Sequence, residues 1–197
     1  MSRNTQQDEI LGNLTAAVSM LESCQAFAAL VPEVRVNLAY ALLNAKTNEE
    51  VAAIDGRITV VRGLPLACGL PTWGASDHLA RRIIEIRKYA SDFNAVINFK
   101  YNQQILVTAR RYAQTKGFLF GSVEREEEPD EYSARDGESM PWKVRQLQDK
   151  YGEIPQLFYE DAGWGKEPLF LALGKNAVEV ASIACDIAEL HKQQFAC

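Results

Sequence analysis

The chain has 197 residues, 47% hydrophobic, 24% charged and 9% aromatic, with 12 glycines and 7 prolines. That mixture excludes collagen-like, disulfide-stapled and disordered classes, and the length favours one domain able to bury a core without metal or disulfide staples. With 21 Lys and Arg against 26 Asp and Glu, the formal charge is −5, which argues against a protein that coats nucleic acid or an anionic membrane; any bound anion must meet a local cluster of cations.

Thr5-x-x-Asp8 has the form of a capping box, and Ile10, Leu11, Leu14, Val18, Leu21 and Ala28 recur at helical spacing until Pro32. This predicts one long N-terminal helix with a single buried face. It carries almost no Lys or Arg and is too short for a helix-turn-helix, so no DNA-reading head is expected. Strands are expected at Val34–Leu43, Ile58–Arg62 and Leu66–Leu70, with a short helical stretch at Asn48–Ala53 between the first two. Ser76 is placed to cap a helix running to Tyr89, with Leu79, Ile83 and Ile86 inward. Ala95–Lys100 reads as a strand, Gln103–Gln114 as a helix ended by Gly117, and Phe118–Val123 as a strand. Glu124–Gly137, the most polar stretch, reads as a solvated loop or lid. Ser139-Met-Pro-Trp142 opens a helix that turns Val144, Leu147 and Tyr151 inward. A strand at Gln156–Tyr159, a Gly-rich turn at Glu160–Pro168, a strand at Leu169–Leu173 and a closing helix at Asn176–Gln193 follow.

Strands and helices interleave throughout, which predicts an α/β fold with helices covering both faces of a sheet. The expected organisation is a helical extension over residues 1–31 and one compact domain over 32–197. Cys24, Cys68, Cys185 and Cys197 include no C-x-x-C pair, as expected of thiols in a reducing compartment. The polar N-terminus lacks a signal-peptide core and no apolar run reaches the roughly 18 residues of a membrane span, so a cytoplasmic location is expected.

Gly74–Arg82 joins a turn to a helix start. Backbone N–H groups from Ala75 through Ser76 to His78, and the positive end of the helix dipole, suit a phosphate, with His78 and Arg81 as side-chain donors. A plain Ser-capped helix accounts for the same residues. His78 is open to acid–base work or oxyanion stabilisation, whereas His191 complements the negative end of the last helix. Gly163 and Gly165 beside Lys166 would let backbone and ammonium approach a phosphate together, although this is not a Walker A motif and reads equally as a connecting turn. Asn98 and Lys100 at one strand end, and Arg57 at a strand start, are positions from which side chains converge on a pocket at a sheet's edge; solvated strand ends are the plainer reading. No Ser-His-Asp order, H-E-x-x-H, G-x-S-x-G or G-x-G-x-x-G pattern is present. Two histidines exclude a His-rich metal centre, while Glu126, Glu127, Glu128, Asp130, Asp161 and Glu167 leave carboxylate-held magnesium open, with Glu127 and Asp161 as the candidate ligands.

These signals occur together in one family. Pro32-Glu-Val-Arg-Val-Asn-Leu-Ala-Tyr-Ala41, Asp55-Gly-Arg-Ile58, Trp73-Gly-Ala-Ser-Asp-His-Leu-Ala-Arg81, Asn98-Phe-Lys-Tyr101, Arg125-Glu-Glu-Glu-Pro-Asp-Glu131, Glu138-Ser-Met-Pro-Trp142 and Gly165-Lys-Glu-Pro168, in that order, resemble the ThiN domain. This thiamine phosphate synthase domain is often found at the C-terminus of archaeal and some bacterial hydroxymethylpyrimidine (phosphate) kinases. The resemblance implies a three-layer α/β/α fold like that of the class II aldolase and AraD group, with a mixed, largely antiparallel sheet. It further implies a reaction that joins hydroxymethylpyrimidine diphosphate to hydroxyethylthiazole phosphate, giving thiamine phosphate and pyrophosphate with Mg²⁺. The family's catalytic arginine and histidine fall on Arg57 and His78. Ala75, Ser76, Arg81, Asn98, Lys100, Gly165 and Lys166 are then the expected substrate and phosphate contacts. The expected partners are the two small phosphorylated substrates, with no nucleic acid and no membrane, and assembly into a homo-oligomer is left open. The alternative is a non-catalytic module of the same family that senses thiamine phosphate; an aldolase-like enzyme is disfavoured because its metal would want several histidines.

Overall fold

Six of the seven predicted strands and five of the six predicted helical stretches reappear in the computed structural model, which describes residues 3–125, 139–163 and 165–195. Most of the polar stretch expected as a loop or lid, including Glu127, lies outside these residues, as does Trp164. Helix α1 (Arg3–Ser23) starts ahead of the Thr5-x-x-Asp8 box, which therefore falls inside it, and buries Ile10, Leu14, Ala17, Val18 and Leu21. It ends well before Pro32. Cys24 leaves the helical region, and a 3-10 segment over Gln25–Leu30 buries Phe27 and Leu30, one 3-10 turn apart.

Strands β1 (Leu38–Ala41), β2 (Val51–Ile54), β5 (Pro71–Trp73), β6 (Ala95–Lys100), β7 (Phe120–Val123), β8 (Leu157–Glu160) and β9 (Leu169–Gly174) form a seven-stranded sheet in the order β5-β2-β1-β6-β9-β8-β7. Every pairing is antiparallel except β7 with β8, so the sheet is mixed and largely antiparallel. Strands β3 (Ile58–Val61) and β4 (Leu64–Ala67) make a separate hairpin.

Alternation along the strands builds two cores. Leu38, Ile54, Ile97, Phe99 and Phe170 face α1, α3 (Gln103–Lys116) and α5 (Ala177–Phe195); Ala39, Ala53, Val96, Phe158 and Leu171 face α2 (Asp77–Ile86) and α4 (Ser139–Tyr151). The result is the three-layer α/β/α arrangement expected.

Two local expectations fail for identifiable reasons. Val51–Ala53, expected as helix, lies in strand β2 with Ile54; only Asn48–Glu50 forms a 3-10 turn. All four residues of β2 are buried, and a strand covered on both faces reads as a continuous apolar run rather than an alternation. The expected strand Leu66–Leu70 shifts back to Leu64–Ala67, because Leu70 is 78% exposed, and β5 opens on Pro71 at the sheet's edge, where a missing N–H is tolerated. By contrast β6 has the predicted bounds, and α3 ends on Gly117 in the left-handed region at φ 70°, the usual glycine C-cap. Among the described residues no helix is long and apolar enough to cross a membrane.

Candidate active site

The site lies at one end of the sheet, on its α2 face. Ser76 caps α2 by accepting a hydrogen bond from the Leu79 N–H at 3.4 Å, which presents the first turn of the helix and His78 to this end. The tight connection between β2 and β3 supplies Arg57, a non-glycine residue held at φ 69°. A left-handed conformation costs an L-residue about 1–2 kcal/mol, so the surrounding contacts must hold it. The Arg57 guanidinium donates to the Val34 carbonyl at 2.5 Å, while the Val34 N–H donates to Glu167 at 2.6 Å. Val36 and Ile58 exchange backbone hydrogen bonds of 3.0 and 2.8 Å beside this contact.

Two buried asparagines brace the same segment. Asn37 accepts from the backbone N–H groups of Leu38 at 2.8 Å and Ile54 at 3.0 Å and donates to the Ile54 carbonyl at 3.2 Å. Asn98 accepts from the Asn37 N–H at 2.8 Å and donates to the Arg35 carbonyl at 3.1 Å. Replacing Asn37 with alanine strips the buried N–H groups of Leu38 and Ile54 of their side-chain acceptor, while the Ile54 carbonyl keeps the Arg57 N–H at 3.2 Å, so a loss of about 1–3 kcal/mol per group left unmet is expected. Urea unfolding of the variant, read as a fall in midpoint with the slope unchanged, checks this.

Beneath these groups is a buried charge network. Arg82 from α2 and Lys143 from α4 converge on Glu160 at the end of β8, and all three side chains are less than a tenth exposed. Lys143 lies 2.9 Å from Glu160 and Arg82 is in direct contact with it. The second terminal nitrogen of Arg82 lies 3.0 Å from His78 Nε2. Burial pushes the Glu160 carboxyl up, but Arg82 and Lys143 more than offset this and hold it below its ordinary range. For His78, part of whose surface still meets solvent, the crowding of protein around the ring and then the Arg82 cation, with Lys143 and Arg81, push the pKa down from 6.5 to about 3 against the pull of Glu160. The 3.0 Å guanidinium contact by itself sets this direction. His78 is therefore neutral at physiological pH, not the extra cation that a phosphate site suggests.

A narrow cleft of about 70 Å³ is lined by Val34, Asn37, Arg57, Ser76, His78, Leu79, Arg82, Asn98, Leu169 and Leu171. It brings together four residues singled out from the sequence, namely Arg57, Ser76, His78 and Asn98. Its volume is about the share of two water molecules in the liquid, so it forms the floor of a site and not an enclosure for two substrates. Arg81 does not line it and pairs with Asp77 instead; the neighbouring Arg82 is the arginine that reaches the cleft. Ala75, Lys100 and Asp161 also lie outside its lining, as do Gly165 and Lys166, which are exposed in a turn closed by hydrogen bonds of 3.0 and 2.9 Å between Gly163 and Lys166. A Cβ at Gly163 would come within 2.6 Å of the buried Arg125 guanidinium carbon, so a larger residue there would displace that side chain.

A larger groove of about 410 Å³, bordered by Ala26, Ala29, Ala188, His191, Lys192 and Phe195, lies along α5 and the 3-10 segment. It gathers none of the buried charges. The smaller cleft, where charge, strain and hydrogen bonding converge, is the better site despite its size. Among the described residues no group of three His, Cys, Asp or Glu side chains is placed to hold a metal ion.

These features define an α/β/α domain with a polar cleft over buried cations, suited to a small anionic substrate. The chain belongs to the thiamine-phosphate synthase ThiN family, whose model matches residues 13–186. It is 34% identical over 180 residues to the thiamine-phosphate synthase ThiN of Methanothermobacter thermautotrophicus, covering 91% of this chain and 93% of that protein. It is 31% identical over 175 residues to the bifunctional thiamine biosynthesis protein ThiDN of Methanocaldococcus jannaschii, covering 88% of this chain but 39% of that longer protein. Its fold superposes on the crystal structure of the C-terminal domain of phosphomethylpyrimidine kinase with a TM-score of 0.87 at 32% identity, over 92% of this chain and 99% of that one.

Proposed function

We propose that this chain is a thiamine-phosphate synthase working at the cleft between Arg57 and His78. The observation that carries the reading is the convergence of Arg57, Ser76 and His78 on one cleft in a member of the ThiN family. In the reaction, the C–O bond to the diphosphate of hydroxymethylpyrimidine diphosphate breaks, the electron pair leaves with pyrophosphate, and the amino-substituted ring stabilises the pyrimidinylmethyl cation. The lone pair of the thiazole nitrogen of hydroxyethylthiazole phosphate then forms the new C–N bond. No protein nucleophile is required, so the chain's task is to position both partners and to neutralise the charge growing on the leaving group.

Arg57 brings a permanent positive charge to that leaving group, and His78 an N–H donor. The first turn of α2, from Ala75 and Ser76, adds a favourable dipole. Lys100, at the exposed end of β6, and Lys166 with Gly165, in the turn before β9, are proposed to reach the phosphates from outside the cleft. Asn98 spends its amide on backbone and acts by holding the Val34–Asn37 segment in place. The described residues do not fit a protein-held magnesium centre, and Mg²⁺ would come with the oxygens of the diphosphate itself. A cytoplasmic location belongs to the same proposal.

Incubating the purified chain with both phosphorylated substrates and Mg²⁺ tests the reading. Thiamine phosphate and pyrophosphate are expected in equal amounts, with neither formed when one substrate is omitted. Tight binding of thiamine phosphate without turnover would replace the enzyme by a sensor of the same ligand.

A further inference from the structure

We propose that Arg82 is a positioning residue that fixes His78 as a neutral imidazole protonated on Nδ1, so that His78 serves the reaction as a fixed N–H donor and not as a proton-transferring acid or an imidazolium. The argument rests on donor chemistry. A guanidinium has five N–H donors and no acceptor, and it keeps its charge throughout the accessible pH range. The ring nitrogen 3.0 Å from Arg82 must therefore accept, which leaves Nε2 without a proton and places the single ring proton on Nδ1.

Arg82 is not free to relax this constraint. It is one helical turn from His78 on α2, almost wholly buried, and tied through its other terminal nitrogen to Glu160, which Lys143 holds from α4. The charged groups that face the ring are Arg82 and Arg81 from α2, Glu160 from β8 and Lys143 from α4, and Arg57 from the β2–β3 turn lines the same cleft. Three of these four facing groups are cations, so a second proton on the ring would add a like charge at contact distance. An imidazole fixed in this way donates to a developing negative charge without first having to lose or gain a proton.

The inference rests on the proposed function only for its use; the state of the ring is readable without substrate. With two histidines in the chain, histidine-selective ¹⁵N labelling gives two imidazoles, and His191→Gln assigns them. Long-range ¹H–¹⁵N spectra of the ligand-free protein are expected to show His78 protonated on Nδ1 alone and unchanged from pH 8 to pH 5. A ring protonated on Nε2, or one that titrates with a midpoint near 6.5, would overturn the inference whether or not the chain makes thiamine phosphate. Arg82→Met leaves Glu160 paired with Lys143, and is expected to shift the ring towards the Nε2-protonated form, to raise its midpoint, and to lower kcat at least tenfold. A folded Arg82→Met protein with the wild-type tautomer would also overturn it. If that variant does not fold, the wild-type spectrum still decides. The expected tautomer in a chain that forms no product would count against the proposed function alone.

Discussion

Replacing Arg57 with glycine is expected to reduce thiamine phosphate formation by at least tenfold, and by about a hundred- to a thousandfold if the guanidinium acts as a single preorganised charge-stabilising group. Stability should be unchanged or slightly raised. Arg57 sits at φ 69°, a conformation that glycine adopts without the steric cost of a side chain, so the substitution removes strain and function together. The hydrogen bond to the Val34 carbonyl is lost, but Glu167 still holds the Val34 N–H. His78→Ala should give a comparable loss of turnover. It leaves Arg82 paired to Glu160 and removes a ring that is only partly enclosed. Steady-state kinetics beside thermal melts check both variants, and wild-type turnover in two folded proteins would remove Arg57 and His78 from the catalytic assignment.

The second large effect concerns stability. Removing one partner of a buried ion pair leaves an uncompensated charge, which typically costs about 3–5 kcal/mol. Glu160→Gln leaves Arg82 and Lys143 facing each other in the interior with no carboxylate between them. A loss in that range is therefore expected, measured as a fall in urea midpoint, although the glutamine keeps the shape of the site. Glu160→Gln with Lys143→Met should recover part of the loss, because the second change removes one of the stranded cations. Equal stability of Glu160→Gln and wild type would show that the network carries no net charge interaction.

The same groups set the acid limit of the fold. His78 has a folded pKa of about 3, below its ordinary 6.5, so the unfolded chain takes up a proton first and stability declines as pH falls below 6.5. Glu160 is also held below its ordinary value in the folded state. Its contribution is complete above the usual carboxylate range and is lost as pH falls through and beneath that range. Urea midpoints at neutral and progressively lower pH should thus decline in two stages, and the Glu160→Gln protein should lack the second.

Much of this site was legible in the residues before any coordinates. Ser76 as a helix cap, Gly117 as a helix stop and the bounds of β6 follow from local chemistry that tertiary packing did not override. The charge network was not found, although a signal for it exists. Arg82 falls three residues after Leu79 and four before Ile86, on the buried stripe of α2, whereas Arg81 points off that stripe. Lys143 occupies the matching position between Met140 and Leu147 on α4, and Glu160 shares the face of Phe158 on β8. Each is a charged residue in an apolar phase. Singly, such a residue reads as an irregularity in the pattern; only the fold brings the three into contact. Asn37 escaped for a different reason, since its three partners include Ile54, a residue of β2, where the sequence pattern suggested helix up to Ala53.

Where thiamine phosphate binds decides whether this cleft is the active site. In a crystal structure of the chain with thiamine phosphate, the ligand is expected over the cleft, with Arg57 and His78 within hydrogen-bond distance of it. Product seated in the groove along α5 beside His191 and Phe195, with Arg57 and His78 untouched, would contradict the assignment.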